Sequence, residues 1–166
     1  VAVAKNGDLY YTESTSDCQI NNFPLSLFLN PSGRIVHLDR KTKRTKVLAD
    51  RLFFANGIAL SPDEDFLVVS EFGRNKLVRY WLRTDKSETI GVFSDNLPGC
   101  PDNITPDEKG FYVALPMTSD VGNIALFQRL SEYPTLRKFI ARVIASVEGT
   151  FKALDSVIPN DMFKML

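Results

Sequence analysis

Phe53-Phe54-Ala55-Asn56-Gly57-Ile58-Ala59-Leu60-Ser61-Pro62-Asp63-Glu64-Asp65-Phe66-Leu67-Val68-Val69-Ser70-Glu71 reads as two strands around a turn. An apolar run stops at Ser61-Pro62-Asp63-Glu64-Asp65, and a second run rich in β-branched residues follows. Asn56 stands inside the first run, where a polar amide must be satisfied or put to use. The pattern recurs downstream as Asp102-Asn103-Ile104-Thr105-Pro106-Asp107, then Gly110-Phe111-Tyr112-Val113. It recurs upstream as Val1-Ala2-Val3-Ala4, an Asn6-Gly7 turn and Leu9-Tyr10-Tyr11-Thr12-Glu13.

Outer hairpins separate these units. Arg34–Asp39 goes out, Arg40–Arg44 turns and Thr45–Ala49 returns. Lys76–Leu82 and Glu88–Phe93 repeat the device around Arg83–Ser87. Val47-Leu48-Ala49-Asp50 maps onto Val92-Phe93-Ser94-Asp95 at an offset of 45, and Pro62-Asp63-Glu64 maps onto Pro106-Asp107-Glu108 at 44. Glu13 maps onto Glu71 at 58, the excess being a long loop from Cys18 to Ser32. Four short strands per ~45 residues is the mark of a propeller blade. The expected fold is therefore all-β, about two and a half blades of a ring that closes with more of them. Residues 1–119 carry the blades, and 120–166 form a helical insertion in the same domain.

The insertion announces itself by a change of period. Leu136, Phe139, Ile140, Val143, Ile144 and Val147 recur at helical spacing, with Arg137, Lys138 and Arg142 off that stripe. Pro134 suits a first turn, Gly149 suits a stop, and Phe151–Ile158 suits a second helix. The stripe is expected to pack on the sheet; its other uses are a lid over the propeller mouth or contact with a membrane surface.

The whole chain has 166 residues, with 20 basic and 20 acidic side chains. That balance argues against nucleic-acid or polybasic membrane partners. No apolar run reaches the ~18–20 residues a membrane span needs. The chain opens in mid-strand without Met, so a longer parent protein is expected. Cys18 and Cys100 are either independent buried thiols or a pair, and composition does not choose between them.

The innermost strands of a propeller line its axis. Asn56, Asp102 and Asn103 are expected on such strands in successive blades, so their oxygens converge. Amide and carboxylate oxygens suit a hard cation such as Ca²⁺, which takes about 6–8 of them. The alternative is structural capping of turns and bulges. Glu13 and Glu71 are expected as solvated strand ends, and His37 as a surface or edge histidine. Tyr80 and Trp81 are expected to pack between blades, and Arg40–Lys46 to form a soluble basic turn. Asn103-Ile104-Thr105 is a formal glycosylation sequon that a tunnel position would hide.

Phe54–Asp63, Val69-Ser70-Glu71-Phe72-Gly73-Arg74, Val78–Leu82 and Asp95–Ile104 together resemble the strictosidine synthase-like family. The likeness is greatest to its adipocyte plasma membrane-associated protein/hemomucin branch. Leu130-Ser131-Glu132-Tyr133-Pro134 is similar to that branch too. The resemblance implies a six-bladed propeller related to calcium-dependent lactonases, with Asn56 and Asp102-Asn103 as metal ligands. It places a further tunnel Asn just before Val1, an acidic ligand in the first blade, and the synthases' catalytic glutamate beyond Leu166. It offers no match for paraoxonase-like catalytic histidines. It also implies an endomembrane or cell-surface location.

Three functions follow from these readings. One is a calcium-supported arylesterase or lactonase acting on small ester or lactone substrates. The second is a non-catalytic membrane-associated binding module. The third is an amine–aldehyde condensing enzyme of the strictosidine synthase type.

Overall fold

The computed structural model describes residues 1–16, 31–83, 85, 88–118, 130 and 133–157, leaving aside the side chains of 148 and 151–157. The Cys18–Leu29 part of the long loop lies outside these residues. The first blade is a four-stranded antiparallel sheet of β1 (Ala2–Val3), β2 (Leu9–Glu13), β3 (Gly33–Leu38) and β4 (Thr45–Leu52) in sequential order. The second repeats it with β5 (Ala55–Leu60), β6 (Phe66–Glu71), β7 (Lys76–Trp81) and β8 (Ile90–Ser94). The third is begun by β10 (Ile104–Asp107) and β11 (Gly110–Val113), beside a short pairing of β9 (Gly99–Cys100) with β12 (Met117–Thr118). The expected repeat is borne out: both outer strands and both outer hairpins fall in equivalent places.

Strand alternation explains how blades stack. Successive side chains of a strand point to opposite faces. On β7, Val78 and Tyr80 join Leu67, Val69 and Ile58 against Ile35 and Leu52 of the first blade. Each such fully buried apolar side chain contributes roughly 1.5–3 kcal/mol. The intervening residues serve the other seam. Arg79 lies 4.2 Å from the Trp81 ring centroid and 5.4 Å from that of Phe66. Phe66 in turn meets Phe111 of the third blade at 6.5 Å. Tyr80 and Trp81 thus pack on opposite sides of the second blade.

Tight turns hold the strands in register. Asp39 accepts the N–H groups of Lys41 and Thr42, both at 2.8 Å, at the β3–β4 tip. Asn6-Gly7 turns the chain between β1 and β2, with Gly7 at φ 86°. Asp8 ties these two turns together. Its Oδ1 accepts the Arg40 N–H at 3.0 Å, and its Oδ2 lies 2.9 Å from both His37 Nε2 and Asn6 Nδ2. His37 also stacks on Tyr10, with ring centroids 4.9 Å apart. It is therefore on the outer hairpin, as expected, but on an inner strand of the sheet and half-buried rather than at a free edge.

Among the described residues of the stretch expected as a helical insertion, the long helix is α1 (Pro134–Val157). It does not stop at Gly149. A glycine costs about 1 kcal/mol in a helix interior, which lowers stability without ending the helix. The seating also differs from expectation. Arg137 and Ala141 are the buried residues, whereas Leu136, Phe139, Val143 and Val147 are 46%, 63%, 46% and 49% exposed. Arg137 is drawn down because its guanidinium carbon lies 4.9 Å from the Phe53 ring centroid, and its stem is apolar.

The Arg40 backbone bond first, and the His37 contact second, hold the Asp8 carboxyl at about 2, below its ordinary 3.8. The group stabilises the fold above the ordinary value and ceases to do so as pH falls toward 2. Thermal melts between pH 5 and about pH 2 should show an acid-side loss in the wild-type chain that is shallower in Asp8→Asn. Parallel curves for the two proteins would remove Asp8 from the acid response.

Candidate functional site

The end of the blades where β5 begins gathers the candidate residues. Arg51 and Phe54 both take positive φ (58°), turning the chain sharply between β4 and β5. The step Asn56–Gly57 follows, and its peptide groups are held from both sides. Thr12 Oγ1 of the first blade donates to the Asn56 carbonyl at 2.5 Å. Gly57 N–H donates to the Asp102 carbonyl at 3.0 Å. Asn56 and Asp102-Asn103 are thereby brought to one seam.

Glycine is required there by proximity. A Cβ on Gly57 would sit 2.3 Å from the Asp102 carbonyl oxygen, 2.7 Å from Ile104 N and 2.9 Å from Asn103 C. All three are backbone atoms and none has a side chain's freedom to swing away.

One expectation needs correcting. Asn56 lies on its inner strand, but Asp102 and Asn103 precede β10 rather than belong to it. Pro101 cannot donate a backbone hydrogen bond. The next two residues instead turn to Ala114: Asp102 N–H donates to its carbonyl at 2.9 Å, and Ala114 N–H donates to the Asn103 carbonyl at 3.0 Å. The backbone polar groups of this lead-in are thus used. The side chains of Asn56, Asp102 and Asn103 make no hydrogen bond or ion pair with the described residues. Asn56 and Asp102 are half-buried, and Asn103 is exposed together with Thr105 of the sequon.

That donor set, one carboxylate and two amides, is hard oxygen throughout and fits a calcium ion in kind. Three oxygens are fewer than such an ion takes, so water, substrate or further side chains would complete its shell. Among the described residues there is no cluster of three or more His, Cys, Asp or Glu side chains.

Glu71 is the residue whose role the sequence reading missed. It was expected at a solvated strand end, yet it is 1% exposed. A 3-10 turn, Phe72–Arg74, follows β6, and the N–H groups of Phe72 and Gly73 donate to Phe54 and Phe53 carbonyls at 3.2 and 3.0 Å. This folds the Phe53–Phe54 segment over the strand end. Glu71 Oε1 accepts the Phe53 N–H at 2.8 Å and pairs with Arg74, while Oε2 lies 3.3 Å from Lys76 Nζ. The Arg74 and Lys76 spacing, three and five residues on, was the available signal.

Glu71 therefore fixes the segment that presents Asn56. Its counterpart Glu13 is half-exposed and lies 3.6 Å from Arg34, in closer accord with expectation. Arg137 rests on the Phe53 ring, so the start of α1 stands at this same end. Burial first, and nearby Arg74 second, lower the Arg137 pKa. Cys100 is a buried free thiol whose pKa burial raises, and Cys18 lies outside the described residues.

The model of the family described as strictosidine synthase matches residues 1–85. The chain belongs to the strictosidine synthase family. Drosophila melanogaster adipocyte plasma membrane-associated protein Hemomucin is 44% identical over 160 residues, 96% of this chain and 28% of that protein. Arabidopsis thaliana strictosidine synthase-like 7 is 39% identical over 86% of this chain and 37% of its own length. Bos taurus adipocyte plasma membrane-associated protein is 34% identical over 87% and 36%. The chain thus spans about a third of the length of these relatives.

Two solved structures share the fold of this strictosidine synthase family member. A luciferin-regenerating enzyme matches 69% of this chain and 37% of its own, with TM-score 0.53 and 23% identity. A Xanthomonas campestris gluconolactonase matches 70% and 46%, with TM-score 0.51 and 19% identity. Two of the relatives are named as plasma membrane-associated. Among the described residues no helix is long and apolar enough to cross a membrane.

Two substitutions test this construction. Gly57→Ala should force the Asp102–Asn103 segment outward and cost about 1–3 kcal/mol by denaturant unfolding. Glu71→Ala should cost about 3 kcal/mol, because it strands the Phe53 N–H and two cations. Unfolding curves that superimpose on the wild type would refute the corresponding assignment.

Proposed function

We propose that the intact protein is a hydrolase of esters or lactones in which Asn56, Asp102 and Asn103 hold a calcium ion. The observation that carries this reading is the Gly57 N–H to Asp102 carbonyl bond. It joins the backbones of the two segments that carry three oxygen-bearing side chains, none of them hydrogen-bonded to the described residues. The family's solved fold-mates include a gluconolactonase, a lactone hydrolase by name, which is consistent with the substrate class.

A calcium ion bound there would polarise a carbonyl and neutralise a developing oxyanion. The chain's own residues serve to hold and orient. Asp102 supplies the single negative charge of the set and acts as a ligand, so it is not free to serve as a base. Asn56 and Asn103 add neutral oxygens and leave net positive charge for the substrate's carbonyl oxygen. Thr12 and Glu71 are positioning residues, acting on Asn56 through the backbone. His37, engaged by Asp8 and Tyr10 on the outer hairpin, lies outside this set.

The membrane-associated binding module remains as a second reading, favoured by the names of the relatives and by the exposed apolar face of α1. Calorimetric titration of the full-length protein with Ca²⁺ separates the two. Saturable binding is expected, weakened roughly tenfold or more in Asn56→Ala. Hydrolysis of an aryl acetate and lactone panel should then be abolished by chelation and restored by Ca²⁺. No heat of binding by the intact protein would end the metal-hydrolase reading.

A further inference from the structure

We propose that the exposed face of α1 rests on the surface of an anionic lipid bilayer. Leu136, Phe139, Val143 and Val147 form one continuous strip, because they recur at three and four residues along a helix that turns about 100° per residue. They are exposed, while the seated side of the helix, Arg137 and Ala141, lies against the propeller. On the strip's other border stand Lys138 and Arg142, both exposed. The strip thus runs between the protein and a basic edge.

The charges choose the occupant. From Pro134 to Val147 every charged residue is basic, and the first acidic residue is Glu148. A helix with an apolar face, a basic border and aromatic residues lies in a bilayer interface with its cations over acidic headgroups. Tyr133 and Phe139, both exposed, supply the aromatic side chains at the start of the strip. An antiparallel second copy of the same face would bring Lys138 and Arg142 up against their own duplicates, a like-charge arrangement that such a dimer disfavours. The helix lies on the surface rather than through it, since it is too polar to cross. This inference does not depend on the metal.

Co-sedimentation with phosphatidylcholine vesicles, with and without phosphatidylserine, tests it. Binding is expected with phosphatidylserine and should weaken as salt shortens the Debye length below about 10 Å. The pair Leu136→Asp/Phe139→Asp should lose roughly tenfold or more in partitioning, and Lys138→Glu/Arg142→Glu should lose about tenfold at low salt. Ala145→Ser, exposed and away from the strip, should change nothing, and far-UV circular dichroism checks that each variant is folded.

Four results would overturn the proposal: no sedimentation with either vesicle, equal binding to uncharged vesicles, undiminished binding by the double Asp variant, or a dimer that this variant dissolves. Binding by this chain that disappears in the full-length protein would also overturn it, because the face would then be covered by the rest of the chain.

Discussion

The structure depends on a two-sided tether at the Asn56–Gly57 step. A propeller sheet has no hydrogen bonds along its faces, so side-chain packing must set the spacing of the blades. At this step hydrogen bonds to the backbone cross both gaps, from the Thr12 hydroxyl on one side and to the Asp102 carbonyl on the other. The glycine permits the approach, and the asparagine beside it is carried to where two blades meet. Any chemistry at this end inherits its geometry from those two bonds.

A second layer of constraint stands behind the first. Glu71 would be costly to bury alone; it is tolerated because one backbone N–H and two cations surround it. By holding Phe53, it fixes both the lead-in to Asn56 and the ring on which Arg137 rests. The helix and the candidate ligands are thus supported by one carboxylate. The Arg137 guanidinium replaces an apolar contact at the helix seat, which leaves the hydrophobic strip of α1 turned outward.

Local patterns made the blades legible. Alternating apolar residues, Asn6-Gly7, Pro62-Asp63 and the charged hairpin at Arg40 all act over a few residues, so strands and turns could be placed without tertiary knowledge. Asn56 was legible for a related reason, as a polar residue in an apolar run. Glu71 was not, because its burial requires Phe53 and Phe54 to fold back across the 3-10 turn. Helical spacing established α1 but not which arc faces the protein, since a Phe53 ring can seat an arginine. Gly149 misled because local propensity is weaker than the continuity of a long helix. Asp102 and Asn103 fell outside β10 because Ala114, rather than the expected strand, claims their backbone groups.

The packing of Arg79 on Trp81 has an optical consequence. The chain contains one tryptophan, and its indole lies under a guanidinium on the face of the second blade turned toward the third. Its emission is therefore a native gauge of that one junction, reporting separation of these two sheets without an added dye. The opposite junction, lined by Ile35, Leu67 and Tyr80, stays dark to the same signal.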